Sequence, residues 1–233
     1  QAMLPGGVRR SVRVVVDRPP RPGGEFVLYW MIAQRRLGWN FALDRAIAWA
    51  EELGKPLVVL EALRCDYRWA SDRIHRFVIE GMAENARRAA GKRLLYLPYV
   101  EPAPGAGKGL LRALSQRACL IVTDDFPCFF LPRMVAAAAC QVECRLEAVD
   151  GNGLFPLSAT DAASPTAYAF RRILQKQLPA HLDSMPAAAP LDTLAVPVLE
   201  RLLVKGSALR WDRASDETLA GSAAALAALP IDH

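Results

Sequence analysis

Six residues of this chain fall where a ligand-binding crevice would form: Trp30, Met31, Asn40, Glu61, Asp124 and Phe126. Five of them close or follow a short apolar run, and Asn40 stands just ahead of a helical one. They bring together aromatic faces, a polarisable thioether, two carboxylates and an amide. Such a set suits a flat, partly polar ring system better than a metal ion, which would want clustered His, Cys and carboxylate ligands. Singly, Trp30, Met31 and Phe126 could each be core filler; their convergence is what marks a site. Asp124 and Asp125 are adjacent at a strand end and so point apart, which favours capping or orienting over an acid–base pair. His75, between Arg73 and Arg76, is tied by no motif to a Ser or Cys nucleophile and reads as structural. No catalytic residue is nominated.

Other motifs are incomplete. The run Pro104–Gly109 (PGAGKG) sets a Lys in a Gly-rich loop before a helix. It lacks the spacing and the hydroxyl of a phosphate-binding loop and follows the third strand, so a solvated loop is expected, with anion binding at the helix start as the alternative. No GxGxxG follows the first strand. The five cysteines (65, 119, 128, 140 and 144) form no CxxC pair. Reduced, buried thiols are expected, and no metal site, because Cys140 and Cys144 lack two further ligands.

The elements that must position these residues repeat one pattern. FVLYWMI (Phe26–Ile32) is an apolar run rich in β-branched and aromatic residues, which suits a strand buried on both faces. WNFALDRAIAWAEELG (Trp39–Gly54) has helical apolar spacing with Gly54 as its stop. LVVLEAL (Leu57–Leu63) is a second buried strand, so the three form a right-handed βαβ unit. A helix follows with Ser71 as N-cap, Ile74, Phe77, Val78, Gly81, Met82 and Asn85 on one face, and Gly91 as stop. Then come a strand at Arg93–Val100, a helix at Gly107–Ala118, a strand at Cys119–Asp125, a helix from Pro132 and a strand at Glu143–Asp150. Alternation of this kind predicts an α/β fold: a doubly wound five-stranded parallel sheet, Rossmann-like, in the order 3-2-1-4-5. Its ligand crevice would open at the strand ends beside the first and fourth strands.

The 233 residues, 52% hydrophobic and 23% charged, suffice for one α/β domain with extra helices. A net charge of +5 permits nucleic-acid contact without demanding it. No apolar run is long enough to span a membrane and no signal-peptide pattern opens the chain, so a cytoplasmic protein is expected. Residues 1–25 read as a Pro-, Gly- and Arg-rich flexible arm in which Ser11–Asp17 could form a short edge strand; Gln1-Ala2 is set aside as a cloning remnant. Residues 26–185 read as the α/β domain. Residues 186–233 read as a linker (Pro186–Pro197) with amphipathic helices at 198–205 and 216–228.

Seven segments, in order, resemble the N-terminal α/β domain of DNA photolyases, most closely the class II branch that repairs cyclobutane pyrimidine dimers. They are VLYWM (Val27–Met31), RRLGWNFAL (Arg35–Leu43), LGKPLVVLEAL (Leu53–Leu63), SDRIHRFVIEGM (Ser71–Met82), LIVTDDF (Leu120–Phe126), VDGNGLFP (Val149–Pro156) and TAYAFRRILQKQLPAHL (Thr166–Leu182). The chain departs from the family at IAQRR after the first strand and at Pro165-Thr166 before the last helix.

The resemblance implies an antenna and scaffold domain of a photolyase. Its crevice would hold a light-absorbing pigment, a deazaflavin or a folate. FAD, the dimer-binding pocket and the repair chemistry would lie in a C-terminal helical domain, which is the expected partner. This 233-residue chain alone is then expected to be an inactive domain, with weak non-specific DNA contact at most. Arg35 or Arg36 could stabilise an anionic ring oxygen. The competing readings are a stand-alone nucleotide-binding protein of the same fold and a purely structural domain.

Overall fold

The strand Phe26–Met31 is buried on both faces along its whole length, as its unbroken apolar run requires. The computed structural model describes residues 2–3, 9–160, 162–200, 203–204, 207–208 and 210–233, with side chains from Ser11 onward except within 203–208. In chain order the elements are β1 (Val12–Val16), β2 (Phe26–Met31), α1 (Phe41–Leu53), β3 (Leu57–Leu63), α2 (Asp72–Ala89), β4 (Leu94–Val100), α3 (Leu110–Ser115), β5 (Ala118–Asp125), α4 (Leu131–Ala139), β6 (Arg145–Asp150), α5 (Ala167–Gln177), α6 (Asp216–Leu219) and α7 (Ala223–Ala227). Two-residue ladders join Ala2–Met3 to Arg9–Arg10 and Leu203–Val204 to Ser207–Ala208.

The sheet runs β1-β6-β5-β2-β3-β4. Read from β4, its five parallel strands follow the expected order, with β2 beside both β3 and β5. The sheet has six strands rather than five, because β1 pairs antiparallel with β6. A salt bridge fixes that edge: Arg13 donates to both oxygens of Asp125 at 2.9 and 2.7 Å. At Gly24 a Cβ would stand 2.5 Å from the Cys119 backbone nitrogen, so only glycine lets the chain enter β2 this close to β5.

Helices cover both faces. α1 packs Phe41, Leu43, Ala46, Ile47 and Ala50 onto one side, while α3 and α4 lie on the other. Asn40 caps α1, its Oδ1 accepting from the amides of Ala42 and Leu43, and Gly54 ends it in the left-handed conformation.

α2 is rotated from the expected face. Its buried residues are His75, Ile79, Met82 and Asn85, while Ile74 is 38% and Phe77 78% exposed. Buried polar contacts accompany this rotation: His75 Nε2 meets the Arg64 carbonyl at 3.2 Å and Asn85 Nδ2 donates to Glu61 at 2.9 Å. Ser71 stands at the N-cap position but makes no capping bond with its side chain.

The segment Pro186–Pro197, expected as a linker, packs against the sheet domain: Leu191, Leu194 and Val196 are buried with α1, and Ala187 bonds Trp39 and Asp44. The expected helix at 198–205 is not a helix among its described residues, and residues 201, 202 and 205 lie outside them. The span 216–228 is two short helices, because Gly221 turns left-handed and Ser222 caps a new start.

Candidate functional site

A cavity of about 520 Å³ opens on the α3–α4 side of the sheet, over the carboxyl ends of β2, β3 and β4. Its origin is local. α3 has six residues and so spans about 9 Å, too short to cover strands of seven residues that run about 23 Å. The uncovered wall is Trp30, Leu60 and Tyr99; Tyr67, Phe130 and Met134 face it from the surrounding loops and α4. The volume and the aromatic lining suit a small planar ligand.

Four cations line the cavity, and Arg35 is the one that is half-buried. Its Nη1 lies 3.1 Å from Glu61 Oε1, and its Nη2 donates to the Ala62 carbonyl at 2.9 Å. Arg36 is exposed and donates instead to the Trp39 carbonyl, so the structure distinguishes the two arginines. Glu61 is fully buried; its other oxygen accepts from Tyr96 at 2.6 Å and Asn85 at 2.9 Å. Burial first, and then the Glu61 charge, pushes the Tyr96 phenol well above its ordinary range, so it stays a donor.

Asp124 is a clasp. Its Oδ2 accepts from the amides of Ile32, Ala33 and Gln34 at 2.9, 2.7 and 3.0 Å, and its Oδ1 accepts from the Tyr29 hydroxyl at 2.8 Å. Asn40 continues the network, donating to Tyr29 Oη and to the carbonyls of Gln34 and Arg36. Together they fix the β2–α1 loop that carries Ile32 and Arg35 into the cavity wall. Asp125 turns away to Arg13, so the two aspartates are no dyad.

Of the six residues nominated from sequence, Trp30 lines the cavity. Glu61 stands behind it and holds Arg35, while Asn40 and Asp124 hold the loop. Met31 packs into the core on the α1 face. Phe126 lies outside the lining and stacks on Phe129, their centroids 6.5 Å apart. His75 is buried and stacks on Tyr67 at 5.8 Å, and burial lowers its pKa.

Sequence reasoning missed Tyr67, Tyr99 and Phe130, and it named the Pro104–Gly109 loop without placing it at the cavity, which Gly105, Gly107, Lys108 and Gly109 line. That loop is solvent-facing at Gly105 and Lys108, as expected, and is tied to the fold elsewhere: the Gly107 amide donates to Glu101 at 3.0 Å and Trp211 Nε1 donates to the Ala106 carbonyl at 2.8 Å. The available signal was the shortness of the helix it precedes. Among the cysteines, Cys65, Cys119 and Cys144 are buried, but Cys128 and Cys140 are exposed, contrary to the expectation of buried thiols. Burial pushes Cys65 and Cys144 up to about 11, which leaves them protonated. No group of three or more His, Cys, Asp or Glu among the described residues could hold a metal ion, and no helix among them is long and apolar enough to cross a membrane.

Comparison with known proteins adds a relationship. No family model matches the chain. It is 30% identical over 168 residues to a deoxyribodipyrimidine photo-lyase of Methanothermobacter thermautotrophicus, covering 72% of this chain and 37% of that protein. It is 30% identical over 194 residues to a deoxyribodipyrimidine photo-lyase of Oryza sativa subsp. japonica, covering 78% of this chain and again 37% of the relative. The chain thus spans little more than a third of the curated relatives it matches.

Proposed function

The chain is related over most of its length to deoxyribodipyrimidine photo-lyases, and from that premise we propose that it serves as the N-terminal antenna and scaffold domain of such an enzyme, light-driven repair of cyclobutane pyrimidine dimers being the activity of the whole. The observation that carries the antenna role is the cavity walled by Trp30 with Arg35 held beside it. A pigment bound there, a deazaflavin or a folate, would supply absorption of blue light and transfer of excitation to a flavin elsewhere in the enzyme. Trp30, Tyr67, Tyr99 and Phe130 offer faces and edges for ring contacts, and Arg35 offers a guanidinium to a ring oxygen carrying negative charge. Glu61, Asn40 and Asp124 act one layer back as positioning residues. FAD, the dimer pocket and the DNA-binding surface are assigned to the remainder of the enzyme, a helical domain that is this unit's partner.

The test is retention of pigment. The purified chain is equilibrated with a deazaflavin or with a reduced folate, desalted, and examined by visible absorbance. One pigment should co-elute, and Trp30→Ala should weaken it about tenfold, since one lost ring contact with its burial is worth somewhat more than 1 kcal/mol. Retention unaffected by Trp30→Ala and Arg35→Ala would place the pigment elsewhere, and no retention of either would favour a structural domain. An ATP titration addresses the nucleotide-binding alternative, which the Gly105–Gly109 loop disfavours because its Ala106, Gly107 and Lys108 amides are already engaged.

A further inference from the structure

The charge around the cavity is one-sided. Arg35, Arg64, Lys108 and Arg112 line it against a single carboxylate, Glu101. Arg35 is neutralised by Glu61, and the two Glu101 oxygens already accept from the amides of Gly107 and Cys65. The other three cations are loosely held. Arg64 meets Asp66 and Arg112 meets Glu143 at 3.9 Å, each between exposed side chains. Pairs of that kind are weak and exchange readily for a better partner. Lys108 enters no ion pair among the described residues.

The backbone near Lys108 is fixed while its side chain is not. The amides of Ala106, Lys108 and Leu110 donate to the carbonyls of Ala103, Gly105 and Gly107, so the loop has little backbone left with which to cradle a phosphate. From behind, Trp211 bonds Ala106, and Arg210 reaches the Lys108 carbonyl. An anion at this side of the cavity would therefore be held by ammonium and guanidinium groups. Lys108 is free to swing and Arg112 is held by one long pair.

We propose that the ligand of this cavity carries an anionic tail and that Lys108 and Arg112 bind it on the α3 side, while the ring system lies against Trp30 and Arg35. The proposal rests on the reading of the cavity as a pigment site and adds a selection rule to it: among pigments with similar rings, the one with a charged tail is preferred. Two tails share the chemistry, the phosphate of a phosphorylated flavin-type ligand and the glutamate carboxylate of a folate-type ligand.

Two matched pairs of probes separate these sources. Riboflavin and flavin mononucleotide differ by one phosphate; pteroic acid and folic acid differ by one glutamate. Each is titrated against the full 233-residue chain by fluorescence at low salt and again near 0.2 M salt. In at least one pair the more anionic member should bind about tenfold more tightly, the worth of a charge-assisted contact, and the gap should narrow with salt. The double variant Lys108→Ala with Arg112→Ala should abolish the gap and leave the affinity of riboflavin, which has no charged tail, unchanged. Both side chains are exposed, and a far-ultraviolet melt confirms that the variant folds. Which pair shows the gap identifies the tail. Equal affinities within both pairs, with binding intact, would overturn the tail proposal and leave the cavity reading standing. Absence of binding by all four probes would overturn both.

Discussion

Arg35 stands in the cavity wall because Glu61 holds it there, Nη1 to Oε1 at 3.1 Å, with the carboxylate fully buried and the guanidinium only about a quarter exposed. A buried carboxylate of this kind is satisfied by several donors at once, here Arg35, Tyr96 and Asn85. The sheet thus converts a residue in the middle of a buried strand into an anchor for a loop residue 26 positions away.

Glu61→Gln leaves the Arg35 charge without its counter-ion and sets an amide N–H against donors. The expected cost is about 3 kcal/mol, the usual penalty for breaking a buried pair from one side, read as a lower urea midpoint. Pigment affinity should fall with it, because Arg35 loses its fixed position. A midpoint unchanged from the parent would show that Tyr96 and Asn85 alone suffice.

Asp124→Asn replaces an acceptor-only group by one that must present N–H to part of a ring of four donors. Leaving one or two of those donors unmatched should cost about 2–3 kcal/mol. The effect should be local as well as global: amide exchange at Ile32, Ala33 and Gln34 should accelerate more than that of β2. Uniform acceleration across the sheet would mean the clasp has no separate role.

Asp44 predicts a pH dependence. It is 6% exposed, its Oδ1 has no hydrogen-bond partner among the described residues, and burial pushes its pKa up from 3.8 to about 6 despite the bond from the Ala187 amide. The folded protein therefore holds this proton more tightly than the unfolded chain. Its contribution to stability is greatest below about pH 4, declines as pH rises to about 6, and is level above that. The gap is worth about 3 kcal/mol. Asp44→Asn lacks the titration, so relative to the parent it should gain about 2–3 kcal/mol between pH 4 and pH 7 in urea denaturation. A constant difference across that range would exclude Asp44 as the source. Glu147 acts outside this window: burial pushes it up, but Arg45, Trp49 and Arg145 together hold it below its ordinary value, so its contribution is lost only at lower pH.

DNA binding by this chain should be weak and blind to lesions. Several arginines of the N-terminal segment are already engaged: Arg13 with Asp125, Arg18 with the Glu143 carbonyl and Arg21 with the carbonyls of Ala118 and Ser115. The exposed cations left on α5 are Arg171, Arg172 and Lys176. Phosphate contacts of that kind fade steeply with salt, and a flipped dimer needs a pocket that the proposal assigns elsewhere. Gel shifts should show equal affinity for irradiated and undamaged duplex and little binding near 0.2 M salt. Blue light should remove no dimers beyond a no-protein control. Lesion-selective binding that survives the salt would assign damage recognition to this unit.

The alternation of apolar runs was enough to identify parallel strands joined by right-handed crossovers, because a strand buried on both faces must be continuously apolar and a helix between two such strands permits one handedness. The order of the strands was an expectation that the structure bears out. Thr123-Asp124-Asp125 was legible as a strand end with one capping carboxylate. The same reasoning placed the crevice between β2 and β5, whereas the cavity lies over β2, β3 and β4. Its position depends on what α3 fails to cover, and a helix's shortness matters only once it is laid across a sheet. α2 misled apolar counting for a related reason: Met82 and Asn85 face inward as expected, but His75 turns in to the Arg64 carbonyl while Ile74 and Phe77 turn out. The choice of Arg35 over Arg36 was equally beyond the sequence. Adjacent arginines are chemically identical on paper, and only the loop's path, set by Asp124 from another strand, turns one to Glu61 and the other to solvent. Local pattern determined which segments are strands and helices. Packing across the sheet decided which side chains meet, because those contacts join residues far apart in the chain.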